Sequence, residues 1–285
     1  AAGDAITPNN LSRFEKGLAT VKVDTFFEIL FRLNLAPADY TEVLHIQNED
    51  SQRVKQFENA FSKKDMNKAR QLLGRKSDWT NAIEYYELKL CTYNQEKKLD
   101  EFTPDELETV HYLIDYISSI NTLYIRDFSI ITNLLHLNAQ FFEVQFLEYL
   151  ENLVVERLEE VKYTTMDFGL ICSQCSVNLV RAYSRNGYYD KAEKLIYKLK
   201  LILSQGVHAL ISINPLFLLN VYEVYNLLRQ NNPKAIERAN SLLHYIDAQN
   251  DLFPLSHMYT WKNDFVKEVQ RLNKTGIPFP MEDEE

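Results

Sequence analysis

Residues 182–203 read AYSRNGYYDKAEKLIYKLKLIL, and this stretch decides the fold. Ala182-Tyr183 closes one helix, Asn186-Gly187-Tyr188 turns, and Asp190-Lys191-Ala192 opens the next. Behind the turn, Ala192, Leu195, Ile196, Leu199, Ile202 and Leu203 recur with the 3.6-residue period of one buried helix face. About 43 residues on, the pattern returns: Tyr225 closes a helix, Asn231-Asn232-Pro233 turns, and Lys234-Ala235 opens its partner. Ile236, Ala239, Leu242, Leu243 and Ile246 then form the matching stripe. The unit of this chain is a pair of antiparallel helices, and it repeats.

Working outward, helix pairs are expected at 79–120, 122–161, 165–203 and 207–249, with a last helix to Asn273. Thr103-Pro104-Asp105-Glu106 is a capping box with Pro at the first helical position, ahead of the stripe Leu107, Val110, Ile114 and Ile117. Small residues beside aromatics let paired helices approach closely, as in tetratricopeptide-like repeats. The spacing exceeds the roughly 34 residues of that repeat, so these are degenerate copies. The fold class is all-α: a partial helix-turn-helix domain followed by a right-handed superhelix of degenerate tetratricopeptide-like helix pairs. The expected division is 1–45 for the helix-turn-helix remnant, 46–64 for a linker helix, 65–273 for the repeats and 274–285 for an acidic, disordered tail.

Seven glycines and eight prolines in 285 residues are too few for the many turns of a sandwich or barrel. Three cysteines do not make a disulfide framework, and no apolar run reaches the roughly 18 residues of a membrane span, so a cytoplasmic, soluble protein is expected. A net charge of −9 argues against nucleic-acid binding by the body as a whole. Ala1-Ala2-Gly3-Asp4 carries no secretory signal and no initiator Met, so the sequence is expected to be cut from a longer chain.

At the N-terminal end, Thr7-Pro8 reads as a helix start and Gly17 as its stop. A second helix carries Phe26, Phe27, Leu30 and Leu33 on one face, and Pro37 opens a third toward Leu44. Asn9 and Asn10 lie in the first turn of the first helix, where an amide can read an adenine edge; Arg13 and Lys16 follow one and two turns on. On chemistry alone a capped surface helix fits the same residues. The run Leu11-Ser12-Arg13-Phe14-Glu15-Lys16-Gly17, followed by Val23 through Leu35, resembles the second half of the helix-turn-helix domain of phage-repressor-like regulators. Joined to a tail of helix pairs, the chain resembles the Rgg/GadR/MutR-type, peptide-sensing transcription factors of Gram-positive bacteria. That resemblance implies DNA contacts at Thr7, Asn9, Asn10, Arg13 and Lys16, with Glu15 structural. The first two helices of such a domain are missing, so promoter DNA is an expected partner only with them restored.

The first helix of each pair also carries a polar face. Arg126, Ser129, Asn133 and His136 share one; Gln174, Asn178, Arg181 and Arg185 share the next; Asn220 and Glu223 sit opposite Val221 and Tyr225. First helices line the concave wall of such a superhelix. Asn amides satisfy both peptide-backbone groups and Arg holds a carboxylate. The expected peptide site is therefore Arg126, Asn133, Asn178, Arg181, Asn220 and Glu223, all off the core; a solvated face is the alternative for any one of them. The family resemblance implies a short hydrophobic signalling peptide as ligand. Two half-sites on DNA would require a homodimer.

Cys172-x-x-Cys175 lies on an apolar stripe with no strand before it, so core packing is expected rather than redox chemistry. Glu108-x-x-His111 is half of a di-iron motif without its second copy. No cofactor, metal or catalytic constellation is expected, and neither is a membrane partner. The expected function is a peptide-pheromone-responsive regulator of quorum sensing, with a helical-repeat interaction scaffold as the alternative.

Overall fold

The computed structural model describes residues 6–32, 49–93, 99–137, 142–160, 166–205, 213–252 and 256–280. Thirteen α-helices and no strand occur among them. Two compact units divide the chain, residues 1–92 and 93–285.

The first unit opens with α1 (Pro8–Glu15) and α2 (Val23–Arg32). The Thr7 hydroxyl accepts the Asn10 N–H at 3.4 Å, Pro8 fills the first helical position, and Gly17 stops the helix at φ +69°. That φ suits a residue without Cβ. Phe14 and Phe26 meet edge to face at 6.2 Å. Ile29 and Leu30 are buried, whereas Phe27 is 46% exposed, so the buried face of α2 lies a step away from the expected one. Leu33 and the helix expected from Pro37 to Leu44 fall outside the described residues.

α3 (Glu49–Ser62) packs on α4 (Met66–Leu73), and α4 on α5 (Ala82–Cys91). The segment expected to be a linker is thus part of a packed body. Phe57 and Ala60 are buried, and the Asp50 carboxylate accepts the Thr80 backbone N–H at 2.9 Å as well as its hydroxyl. Arg53 donates to the Asp78 carbonyl at 2.8 Å and lies 5.0 Å over the Trp79 ring, whose N–H reaches the Leu73 carbonyl at 2.7 Å. The helix pair expected over 79–120 straddles the boundary, since α5 belongs to this unit and its expected partner to the next.

The second unit runs α6 (Pro104–Ser119), α7 (Ile125–His136), α8 (Val144–Glu160), α9 (Met166–Arg185), α10 (Tyr189–Leu203), α11 (Ile213–Arg229), α12 (Lys234–Leu252) and α13 (Ser256–Leu272). The capping box at Thr103 is formed in both directions. The two quoted turns close alike. Gly187 and Asn231 take left-handed φ of +81° and +54°, and the next N–H reaches five residues back, Tyr188 to Tyr183 and Asn232 to Leu227, each at 3.0 Å.

α9 is the central helix, packed against α7, α8, α10 and α11; α11 packs in turn on α12 and α13. Cys172 and Cys175 are fully buried, and burial pushes the Cys172 thiol up to about 12, so both belong to the core. Ala235 and Ala239 leave no bulk between α12 and α11, where Val224, Leu228 and Ile236 fill the seam. The expectation of a disordered tail fails over residues 275–280. Phe279 packs edge to face on Phe265 at 6.2 Å and is buried, and Asn273 donates to the Ile277 carbonyl at 2.8 Å.

Candidate functional site

α7, α9, α11 and α13 form a row, each packed on the next through α9 and α11. With about 100° between successive residues, Asn178, Arg181 and Arg185 fall on one face of α9. Asn178 hydrogen-bonds His136 on α7, and Arg181 and Arg185 are close enough to act on the same imidazole. Burial first, then the Arg181 charge, hold His136 down at about 4, so it is neutral at physiological pH.

Asn178 was expected off the core and is instead buried at 9% exposure. The hydrogen bond to a neighbouring helix is the reason, and spacing within α9 carries no trace of it. Asn133 and Arg126 on α7 are half-buried, on the helix face that ends in His136.

Beyond Arg185 the face opens into a cavity of about 720 Å³ between α9, α11 and α13. Arg181, Arg185 and Arg229 line it from α9 and α11, with Tyr222 and Tyr225 as walls; Asp264, Glu268 and Arg271 come from α13. Arg229 donates to the Ser184 hydroxyl at 3.0 Å, and its nearest carboxylate oxygen, on Glu268, is 3.9 Å away. Glu268 is held on both oxygens by Arg271 at 2.6 Å.

Asn220 and Glu223 do not join this face. On α11, Tyr225 and Arg229 lie within about 60° of Tyr222, whereas Asn220 and Glu223 lie about 100–160° from it. They line a separate cavity of about 480 Å³ with α12 residues Lys234, Arg238 and Ser241. There Lys200 of α10 donates to Asn220 at 2.7 Å and to Glu223 at 2.8 Å, and Arg238 pairs with Glu223 at 3.5 Å. The expected site is thus divided, with Asn178 and Arg181 on one side and Asn220 and Glu223 on the other.

Tyr222, Tyr225, Arg229 and the α13 residues were not among the expected site residues. A signal for Arg229 was present: the same 44-residue offset separates Gly187 from Asn231 and Arg185 from Arg229. The α13 carboxylates carry no such repeat signal.

In the first unit, Thr7 is the N-cap of α1, and Asn9, Asn10, Arg13 and Lys16 are all exposed. Arg13 and Lys16 fall within about 60° of Asn9, and Asn10 lies about 100° from it. Glu108 and His111 are exposed on α6, and no group of three metal-ligating side chains occurs among the described residues. No helix among them is long and apolar enough to cross a membrane.

No family profile matches the chain, and no curated protein matches its sequence. Solved structures do match its fold. A Listeria monocytogenes protein described as a transcriptional regulator superposes with a TM-score of 0.67 at 16% identity, over 94% of this chain and 90% of that one. The SHP pheromone receptor Rgg2 of Streptococcus dysgalactiae superposes with a TM-score of 0.63 at 17% identity, over 94% of both chains. The all-α helical fold of this chain is the fold these two proteins share.

Proposed function

We propose that this protein is a transcriptional regulator whose repeat unit binds a short, largely apolar peptide along the first-helix face, and whose N-terminal unit reads promoter DNA as part of a homodimer. The observation that carries the reading is the row of first helices with polar and aromatic side chains turned to one side, in a chain with the fold of a pheromone receptor. Arg181 and the α7 residues Arg126 and Asn133 are the proposed peptide contacts on that side, and Asn178, buried against His136, is proposed to position that face. Asn220 and Glu223 are engaged with α10 and α12, which favours a packing role for them. Thr7, Asn9, Asn10, Arg13 and Lys16 are the proposed DNA contacts, and their exposure on α1 is compatible with it.

Regulation then follows from linkage. A peptide changes DNA affinity only to the extent that it prefers one arrangement of the protein over another. The test is to incubate the full gene product with the peptide fraction of culture medium, identify what it retains by mass spectrometry, and titrate promoter fragments with and without it. Retention of short apolar peptides, lost in Arg181→Ala, supports the reading. A protein that retains no peptide and prefers no promoter fragment refutes it.

A further inference from the structure

The charge of this chain is not spread evenly. Residues 1–92 hold thirteen basic and thirteen acidic side chains, so the whole formal −9 lies in the second unit. Within the first unit the basic residues are gathered: eight lie between 53 and 76, against two acids, Glu58 and Asp65. That is a formal +6 over α3, its turn and α4. Some of these cations are committed inside the unit. Arg53 covers Trp79, Arg70 donates to the Thr92 carbonyl at 3.4 Å, and Lys76 donates to the Tyr86 hydroxyl at 3.0 Å. Lys63, Lys64 and Lys68 are exposed, and no hydrogen bond or ion pair to their ammonium groups occurs among the described residues. The nearest acid in sequence, Asp65, is occupied as the cap of α4, accepting the Lys68 backbone N–H at 3.1 Å.

Lys64 stands where a residue without Cβ would fit best. Its φ is +59°, and the Asp65 N–H closes the turn on the Ala60 carbonyl at 2.9 Å, five residues back. The turns at Gly187 and Asn231 close in the same way with residue types that take this conformation readily. A lysine is held there against a steric cost, and its charge is what it adds. Amides stand beside the lysines: Asn67 and Gln71 are exposed on α4 within about 100° of Lys68. Lysines and neutral amides together are donors that grip phosphate oxygens without reading bases. The eight residues of α4 span about 12 Å, the length of three to four phosphates of one duplex strand at about 3.4 Å each. A membrane surface would need an apolar stripe beside the cations, whereas Phe61 is the one large apolar side chain exposed between 53 and 76 among the described residues.

We propose that the α3–α4 turn and the exposed face of α4 form a second DNA surface, separate from α1, on which Lys63, Lys64 and Lys68 neutralise backbone phosphates. This rests on the DNA reading above and adds to it a grip that is indifferent to sequence. A net charge of −9 repels a polyanion, so a local cationic surface is what offsets that repulsion.

The test follows salt. The full gene product is titrated by fluorescence anisotropy against labelled duplexes of scrambled and of promoter sequence, at salt from about 50 to about 200 mM. Each phosphate contact contributes about 0.9 to the slope of log affinity against log salt, so the triple variant Lys63→Gln, Lys64→Gln, Lys68→Gln should flatten it by about 2–3. Its affinity near 0.1 M salt should fall at least about tenfold, and equally on both duplexes. Lys64→Gly, a residue that suits φ +59°, should flatten the slope by about 0.9 with no loss of melting temperature, which separates charge from folding. Duplex binding whose slope and affinity the triple variant leaves unchanged overturns the surface, and DNA contact then rests with α1. A loss confined to the promoter duplex overturns it too. Binding through these lysines with no preference for any promoter fragment keeps the surface and removes the regulator reading. Lysine-dependent binding to vesicles of phosphatidylserine and phosphatidylcholine in equal parts, with none to duplex, overturns it in favour of a membrane. No binding to either overturns it together with the DNA reading.

Discussion

The two sides of α11 carry polar groups of the same kinds, arranged to different ends. On one side Lys200, Asn220, Glu223 and Arg238 form a closed network in which donors and acceptors from three helices meet at 2.7–3.5 Å. On the other, Arg229 has a hydroxyl at 3.0 Å and a carboxylate only at 3.9 Å, beside a larger cavity with surplus positive charge. In the closed network the groups are engaged with one another, which favours the packing role proposed for it. An arrangement with charge to spare fits the binding role proposed for it. Polarity on a helix face does not separate the two cases; the partners do.

Predictions that break or sharpen this contrast run from large effects to small. Leu228 is fully buried beside Arg229, in the seam with α12. Leu228→Ala should cost about 2–5 kcal/mol of unfolding free energy in a denaturant titration and disturb both sides together. If the groove alone suffers, the sides are mechanically independent.

Next comes pH. His136 has its folded pKa lowered from 6.5 to about 4 by burial and then by Arg181. The unfolded chain takes up the proton first, so this contribution is whole above the unfolded value and is lost as pH falls toward the folded one. The slope is at most about 1.4 kcal/mol per pH unit. Melting curves at pH 7.5 and 5 should differ less for His136→Gln than for the parent. An equal difference would remove His136 from the acid response.

Smaller still is Glu223→Gln. It should lose on the order of 1 kcal/mol of stability by weakening the bonds to Lys200 and Arg238 while leaving peptide retention intact. Loss of retention at unchanged stability would reverse the roles of the two sides. Asn178→Ala should also lower stability by about 1 kcal/mol, since its amide is buried against His136. Smallest in stability is Arg181→Ala, within about 0.5 kcal/mol of the parent because no ion pair to this residue occurs among the described residues. Its effect should be read in ligand binding instead. A melting point lowered by many degrees would make it a packing residue.

Much of the fold was legible because its signals are local. Thr7 and Thr103 cap helices by bonds spanning three residues, and the turns at Gly187 and Asn231 close by bonds spanning five. The apolar stripes of α10 and α12 needed only the helical period, and Ala192, Leu195, Ile236 and Ala239 are buried where that period puts them. Segments whose state depends on distant partners were read less well. The helix over Glu49–Ser62 looks solvated by composition, yet Thr80 and Asp78 anchor its first turns. The tail beyond Thr275 looks like an acidic end, yet Phe279 finds Phe265.

The candidate site divides along the same line. Sequence by itself determined that much of the chain is a series of paired helices, where several of them begin or end, and that first helices bear polar residues at helical spacing. Those properties depend on backbone bonds and side-chain directions within a few residues. Only the tertiary structure decided that Asn178 turns to His136 on one side while Asn220 turns to Lys200 on the other, and that α13 brings Glu268 to Arg229. These partners stand 20 to 42 residues apart along the chain. The angle at which one helix crosses the next selects them, and that angle is set by the packing of whole faces, a quantity no single stretch of sequence contains.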